Sequence, residues 1–421
     1  MNQINYIKVG IMKKRSLSLV ACIAIAVSSV GAAEFDDAVI NGKLSGDATV
    51  TYEMRDSKKN LDNYYNDSAY SVGSAELIYK TADFHNFNLA FGMRGYKVLW
   101  EDHKNSISGY GEGKGDASSR FWNINGGDIA VTTNAYIGYD TDKIKFKAGR
   151  QELETEWLDE HHDAITLYAK PIDKLEVELI WSKKHYRMWS RELFYGPNMD
   201  GFSGTINSEG GGIYKLGLTY DLLDSLKVKA YALHAPSNYS VYGGKATLAL
   251  ESGDFKYGGF FHYMQTDEKL KQNEDGSLID TKAYIEIDGY NFGVGYIQTG
   301  KDGGWGSAYK GGENVTPFEE GDKLYNYIAI DTRTPYITLS KTIMGLSLSA
   351  IYGQSTYKLP SSLSASNKNY KQSEFCLWAG YDITKNLNLS AILTIINEDE
   401  KDVGHPSTDL TQVSSTIAYK F

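Results

Sequence analysis

Hydrophobic and polar residues alternate along the last residues of the chain. Every second position is apolar or aromatic apart from one serine, and this set is Val413, Ser415, Ile417, Tyr419 and Phe421. The positions between them include Gln412, Ser414, Thr416 and Lys420. Because successive side chains of a strand point to opposite faces, such a segment can offer one face to lipid and the other to water. The pattern predicts a terminal strand of a membrane β-barrel.

Similar alternating segments of about ten residues recur along the whole chain. They predict about eighteen strands, which begin near residues 43, 71, 87, 127, 143, 162, 174, 212, 226, 243, 255, 281, 290, 333, 345, 372, 387 and 409. One apolar face, for example, consists of Leu226, Val228, Ala230 and Ala232. The predicted fold is therefore all-β, a transmembrane antiparallel β-barrel of about eighteen strands.

The connections between these strands alternate between two lengths. Tight turns rich in Asp, Asn, Gly and Pro chemistry are predicted at 140–142, 170–173, 222–225, 252–254, 288–289, 342–344 and 384–386. Long polar links are predicted at 101–126, 187–211, 300–332 and 358–371. This rhythm is typical of a barrel with short periplasmic turns and long extracellular loops. A soluble β-sandwich or propeller is the alternative, since its strands would alternate as well.

The beginning of the chain has the features of a secretory signal peptide over residues 1–33. A basic stretch, Lys13 to Arg15, precedes an apolar run from Leu17 to Val27 and small residues up to Ala33. The true start is expected at Met12. A lipoprotein signal ending at Cys22 is a second interpretation, although most of the apolar run follows that cysteine. The remaining chain, residues 34–421, is predicted to form one barrel domain.

Composition narrows the possible functions. Removal of the four basic residues in 1–33 changes the net charge from −10 to −14, which disfavours binding to nucleic acid. The mean hydropathy of −0.39 is low because half of each barrel strand is polar. After Ala33, no stretch approaches the ~20 apolar residues that a spanning helix needs. Cys376 would be the only cysteine of the mature chain, so an internal disulfide is excluded.

Charged residues on the predicted inner face are candidates for the lining or constriction of an aqueous lumen. They are Arg94, Lys145, Lys147, Arg150, Glu176, Glu178, Lys184, Lys227 and Lys229. A basic column opposite an acidic one would place a transverse field across a pore. Alternatively, these charges pair with one another and keep the lumen wet.

Two dense charged motifs have competing interpretations. The segment Gly149–Asp163 is predicted to fill the third long link, and its adjacent His161 and His162 lack the ligand spacing of a metal site. We therefore predict a solvated or pore-constricting loop there and no metal. The basic-aromatic run Lys183–Arg191 could contact substrate or lipopolysaccharide phosphate, but a girdle at the membrane interface is the favoured interpretation.

Catalytic motifs are weak or missing. The segment Gly201–Thr205 lacks the final glycine of a nucleophile elbow, and Gly109–Gly115 has no Ser or Thr after its lysine. The sequence therefore predicts no enzyme and no cofactor.

Two segments resemble a known family. Asn41–Asp47, followed by Thr51–Asp56, resembles the first strand of the OprD-type (Opr-family) bacterial outer-membrane porins, and Ile144–Leu153 resembles their Gly-Arg-Gln segment. The resemblance implies an eighteen-stranded monomer or trimer, constricted by inward-folded loops, that passes small water-soluble substrates often carrying a carboxylate. Arg94 and Arg150 are the nearest matches to the arginine column of that family. Strict alternation places Arg150 on the lipid face unless Gly149 hosts a bulge or the strand has ended.

The predicted function is passive diffusion of small polar solutes through a porin of the bacterial outer membrane. Expected partners are outer-membrane lipid and lipopolysaccharide, and the protein would be a monomer or a homotrimer. A structural or adhesive surface protein is the second hypothesis, and a barrel enzyme is the third.

Overall fold

The computed structural model describes residues 32–57, 67–104, 115–121, 128–194, 211–236, 238–270, 274–308, 316–320, 330–359, 369–398 and 409–421. The predicted signal peptide 1–33 lies almost wholly outside these residues, as do the motifs at 109–115 and 201–205, apart from Gly115. No helix in the described part of the chain is long and apolar enough to cross a bilayer.

Eighteen long strands form one antiparallel sheet. The first nine elements are β1 Lys43–Ser57, β2 Ser68–Lys80, β3 Phe87–Glu101, β4 Asp128–Asp140, β5 Ile144–Glu154, β6 Asp159–Ile172, β7 Leu175–Met188, the two-residue β8 Leu193–Phe194, and β9 Ile213–Leu223. The others are β10 Leu226–Ala235, β11 Tyr239–Ser252, β12 Phe255–Glu268, β13 Ser277–Ile287, β14 Tyr290–Thr299, β15 Ile330–Ile343, β16 Leu346–Lys358, β17 Tyr370–Asp382, β18 Leu387–Glu398 and β19 Leu410–Lys420. These strands confirm the predicted fold class.

The sheet closes on itself. Each long strand pairs with its neighbour, and β1 pairs with β19 over a ladder from Asp47↔Lys420 to Ser57↔Leu410. The backbone of Phe421 adds two hydrogen bonds of 3.1 Å to Gly46 at the end of that ladder. Because β1 and β19 pair with each other, the wall has no open seam between its first and last strands, and the backbone groups there are satisfied without water.

The outer and inner faces differ as the alternation predicts. In β1, Val50, Tyr52 and Met54 are exposed on the outer face, whereas the polar residues between them are buried inside. The exposed aromatic rings of Tyr52 and Trp100 stack on that face, 6.3 Å apart. A continuous apolar belt of this kind is what a bilayer requires of a spanning barrel.

The two rims also differ. At one rim the turns are short, for example 173–174, 288–289 and 344–345, and Lys174, Asp288 and Met344 adopt the positive φ that tight hairpins require. This confirms the short turns of the prediction. The opposite rim carries the long links.

One predicted long link is wrong. Residues 149–163 do not form a loop, because β5 continues to Glu154 and β6 begins at Asp159. Only residues 155–158 connect them. In β5, Gln151 and Leu153 are buried while Glu152 and Glu154 are exposed, so the period-two pattern of a strand continues through the charged motif.

A helix, α1 (Ala32–Ile40), precedes β1 at the short-turn rim. Phe35 packs edge-on against Phe84 at 5.8 Å, and the carbonyl of Ala38 accepts a 2.9 Å hydrogen bond from the Ala82 amide. The helix is thereby attached to the turn between β2 and β3.

Candidate channel constriction

Three strands leave the wall at the long-link rim. The ladder between β4 and β5 ends at Arg150, and the ladder between β7 and β9 ends at Ser182. Pairing within β5, β6 and β7 nevertheless continues beyond these points, to Glu154↔Asp159 and His161↔Tyr186. We call residues 150–163 and 183–194 the flap. Its side chains contact inner residues of strands on other parts of the wall, so the flap lies inside the barrel.

The bend into the lumen occurs where the backbone is unusual. Gly149 has φ +129°, and a Cβ there would lie 2.1 Å from the carbonyl oxygen of Ala135. Lys183 is an extra residue in β7, which forms a bulge opposite β6. Gly149 thus gives β5 the conformation that it needs to leave β4.

A network of four charged side chains holds the tip of the flap, residues 155–158, against the wall. Glu156 Oε2 accepts hydrogen bonds from Lys215 Nζ at 3.1 Å and Lys229 Nζ at 2.8 Å. Glu178 Oε1 lies 2.8 Å from Lys215 Nζ, and its other oxygen lies 3.7 Å from Lys229 Nζ. The Lys215 side chain is completely buried. Because removal of one partner would leave a buried charge uncompensated, these contacts fix the flap position.

This network determines the ionisation of Glu156. Burial alone would raise the pKa of its carboxyl, but the ammonium groups of Lys215 and Lys229 lower that pKa to about 2, well below its ordinary 4.5. Because the pKa is lowered, the ion pairs of Glu156 are fully formed at pH values above the ordinary pKa of 4.5. They are lost as the pH falls from 4.5 toward the lowered pKa of about 2.

This gives a prediction for pH dependence. The difference in single-channel conductance between the wild type and Glu156→Gln should be constant from about pH 8 to about pH 5 and should shrink as the pH falls from about 4.5 toward about 2. Recordings at stepped pH would measure it. A difference that disappears already between pH 7 and pH 5 would contradict the assignment of this contact to Glu156.

Aromatic contacts add to the charge network. Trp157 Nε1 donates a 2.8 Å hydrogen bond to the Tyr231 hydroxyl, which lies 2.7 Å from His262 Nε2. The Trp157 ring also meets Trp305 edge-on at 5.5 Å. Trp157 and Trp305 are fully buried, so the flap tip is packed as well as ion-paired.

The base of the flap meets another link inside the barrel. Phe121, which follows a short 3₁₀ helix (Asp116–Ser119), packs against Tyr70 and Tyr96. The Leu193 amide donates a 2.9 Å hydrogen bond to the Arg120 carbonyl, and Phe121 forms an isolated bridge with Leu193. The link that contains Arg120 and Phe121 therefore packs against the flap inside the lumen.

Arg120 is the centre of a second charged cluster at this level. Its guanidinium contacts Glu320 and lies 3.6 Å from Glu53 and 3.5 Å from Glu192. Glu320 accepts a 2.9 Å hydrogen bond from Gln412. The cluster thereby joins the segments 115–121 and 316–320 to the inner face of the wall.

Four predicted site residues belong to these networks or to wall ion pairs. Glu178 and Lys229 contact the flap tip, as described. Arg94 forms a two-pronged pair with Asp47, at 2.8 and 2.6 Å, and a 2.6 Å contact with Glu76, so its charge is balanced within the wall. Lys227 lies 3.6 Å from Asp221.

Arg150 and Lys184 share one face of the flap. Arg150 pairs with Asp163 through contacts of 2.7 and 3.2 Å and stacks over the Tyr186 ring at 4.3 Å. Lys184 is opposite Asp163 in the ladder between β6 and β7. Tyr186 packs in the same inner cluster as Tyr96, so the Arg150 side chain reaches the lumen. Arg150 is the last residue of β5 that pairs with β4, at the point where β5 bends away from the wall.

The remaining predicted residues lie lower on the wall, toward the short turns. Lys145 and Lys147 are exposed, and Lys147 Nζ lies 4.9 Å from the centre of the Tyr136 ring. Glu176 is half-buried, 3.9 Å from Lys170 Nζ. These three residues are therefore outside the flap contacts.

The run Lys183–Arg191 does not form the interfacial girdle that its sequence pattern favours. Met188 is buried in the inner cluster with Tyr70 and Phe121, and Trp189 packs on His161 at 4.9 Å. Arg191 donates a 3.0 Å hydrogen bond to Glu319. Beyond the bulge at Lys183, this run belongs to the lumen because β7 bends inward with the flap.

One group of side chains has the composition of a metal site. Ligand atoms of Asp159, Glu160 and His185 lie within 4.8 Å of one another. However, Glu160 Oε2 already accepts contacts from His185 at 2.6 Å and from the Arg187 guanidinium at 3.2 Å. A guanidinium at that distance repels a cation, so the arrangement fits a protein ion-pair cluster.

Several solved structures share this architecture. OccAB4 of Acinetobacter baumannii aligns with a TM-score of 0.71 and 14% identity over 90% of this chain and 98% of that one. OccK3 (OpdO) of Pseudomonas aeruginosa aligns with a TM-score of 0.67 and 13% identity over 92% of this chain and 97% of that one. OccD3 (OpdP) of the same organism aligns with a TM-score of 0.63 and 14% identity over 90% of this chain and 91% of that one. No protein-family profile matches the sequence, and no curated protein matches it. The chain has the closed eighteen-stranded fold of the OprD-family outer-membrane porins.

Proposed function

We propose that the protein is an outer-membrane porin that lets small water-soluble solutes diffuse passively through its lumen. The observation that supports this most strongly is the inward flap of a closed barrel, which narrows the lumen between wall charges. Such a barrel surrounds an aqueous path when its strand number approaches that of the porins. The proposal includes that the porin uses no cofactor, catalyses no reaction, and is a monomer or a homotrimer.

Liposome swelling would test the proposed function. Vesicles that contain the refolded protein should swell in small sugars and amino acids at rates that fall with solute size. Vesicles with heat-denatured protein are the matched control. Equal swelling of the two preparations would refute passive diffusion.

Anion preference is part of the proposal. Lys145 and Lys147 are exposed on the inner face below the flap, and Lys80 adds a nearby positive charge that acts on Lys147. Ammonium groups along an aqueous path raise the local concentration of anionic or carboxylate-bearing solutes.

This leads to a second prediction. Charge reversal of both residues, Lys145→Glu with Lys147→Glu, should shift the reversal potential in a salt gradient toward cation selectivity. The matched control reverses two lysines of the short turns, Lys143→Glu with Lys174→Glu, and should change it far less. An unchanged potential in the first variant would remove both residues from the solute path.

We also propose that residues 1–33 are a signal peptide and that 34–421 form the mature chain. Cleavage after Ala33 would leave Glu34 in α1, where its carboxylate lies 3.3 Å from His85 Nε2. Sequencing the N-terminus of protein isolated from outer membranes should therefore begin at Glu34. A terminus upstream of Leu17 would refute cleavage.

A further inference from the structure

An apolar groove lies on the outer surface where the flap leaves the wall. Its volume is about 540 Å³, and the side chains that line it include Phe146, Ile165, Leu179, Trp181, Leu216 and Ala232. Leu179 and Leu216 are paired neighbours on β7 and β9, and both are more than two-fifths exposed. The groove therefore opens toward the lipid side of the barrel.

The groove follows from the inward bend. Trp181 and Tyr214 form the pair next to the last rung of the β7–β9 ladder, which ends at Ser182↔Ile213. Beyond this rung, toward the long-link rim, β7 turns into the lumen. The outer surface of the barrel is therefore concave at this point. Since the long-link rim is the extracellular one, the end of the groove at Trp181 and Tyr214 is directed toward the outer leaflet.

We propose that this groove holds an acyl chain of lipopolysaccharide. Ten of its twelve lining residues are apolar or aromatic, and the other two are Lys215 and His234. The surrounding medium at this face is hydrocarbon. An empty groove would lose dispersion contacts on one side, whereas a flexible acyl chain can fill an irregular shape. The solute path is not involved, so the inference is independent of the proposed transport.

A positive charge at the end of the groove nearest the long-link rim favours a phosphorylated lipid. Lys183 lies two residues beyond Trp181 and is exposed at the bulge where β7 leaves the wall. An ammonium group at the head-group level attracts lipid phosphate. Lipid A supplies both the acyl chains and the phosphates in the outer leaflet.

A second copy of the chain fits the groove less well. Twelve residues line it, whereas a stable protein interface uses about 20–30 residues on each side. The outer surface of another barrel is also convex over many strands. A lipid chain is therefore the occupant to which the shape points.

Native mass spectrometry with purified rough-type lipopolysaccharide would test the proposal. The wild type should retain one lipopolysaccharide per chain through detergent washing, and Ala232→Trp, which fills the groove, should reduce retention at least about tenfold. The matched control is Ala391→Trp, at an exposed outer position of β18, and it should leave retention unchanged. Equal loss in both variants, or no loss in either, would overturn the proposal.

Further arms identify the occupant. Lys183→Ala should weaken retention of lipopolysaccharide but not of phosphatidylethanolamine, and equal retention of both lipids by the wild type would overturn the assignment to lipopolysaccharide. A dimer or trimer that Ala232→Trp dissociates would assign the groove to a second copy instead.

Fluorescence quenching tests the groove without filling it. Lipopolysaccharide with brominated acyl chains should quench a component that disappears in Trp181→Phe, to a greater degree than the component lost in Trp100→Phe. Trp100 is the control because it is exposed on the outer face outside the groove. Stronger quenching of Trp100 than of Trp181 would overturn the proposal.

Discussion

Single-channel conductance should rise several-fold when Glu156 is replaced by lysine. The new ammonium group would lie beside Lys215 and Lys229, whose Nζ atoms are 3.1 and 2.8 Å from the Glu156 carboxylate in the native contact. Breaking a buried ion pair costs about 3–5 kcal/mol, and here repulsion is added. We expect the flap tip to leave the wall and the narrowest part of the lumen to widen.

Glu154→Lys is the matched control for this variant. Glu154 lies two residues away at the end of β5 and is exposed, so the same charge change leaves the tip contacts intact. Its conductance should stay close to that of the wild type. Planar-bilayer recordings of both variants would decide the matter, and a Glu156→Lys channel with unchanged conductance would show that the flap does not limit the current.

Replacement of Gly149 by alanine should have an effect of similar size. The φ of +129° disfavours any L side chain, and the added methyl group would lie 2.1 Å from the Ala135 carbonyl oxygen. Alanine at such a conformation costs more than about 1 kcal/mol before the clash is counted. We expect β5 to lose the bend, with a flap that docks poorly and a wider distribution of conductance levels.

Gly380→Ala provides the comparison, because a Cβ at Gly380 meets nothing within 4 Å. That variant should refold and conduct like the wild type. Protease protection of the flap and the spread of conductance levels would be measured in both. If Gly149→Ala keeps the native protection and a single level, the bend does not depend on the glycine.

The barrel could be predicted from the sequence because membrane and water act on alternate residues. The outer positions of β1 must be apolar, and its inner positions, Thr49, Thr51 and Glu53, must tolerate a wet or paired interior. Tight turns have local chemistry that marks them directly. Both signals are short-range, so the strands and the short-turn rim follow from reading along the chain.

The sequence predicts a solvated or pore-constricting loop at residues 149–163, but it does not predict that β5 and β6 continue into the flap, because the determinants of the flap are not local. Glu156 contacts Lys229 across 73 positions of sequence, and Trp157 contacts Tyr231 across 74. A dense run of charged residues is typical of a loop when the residues that it contacts are unknown. The alternation from Gln151 to Glu154 nevertheless indicates a strand. Lys215 lies on the inner face, but only the structure shows that it is the buried centre of the network.

Whether a wall charge is balanced depends on contacts between strands, which the sequence does not show. Arg94 resembles an exposed member of a basic column in the sequence, yet Asp47 and Glu76 on two neighbouring strands surround its guanidinium. The alternation of side chains along a strand assigns a residue to the inner or the outer face. The register between neighbouring strands decides whether its charge is paired there or can act on a solute. Lys145 and Lys147 are exposed and therefore remain the stronger candidates for that role.

Planar-bilayer recording of the refolded wild-type protein tests the central claim most directly. A barrel that encloses solvent behind the flap should insert with discrete, ohmic current steps of uniform size in simple salt. A bilayer that stays silent although folded protein has inserted would contradict a water-filled path.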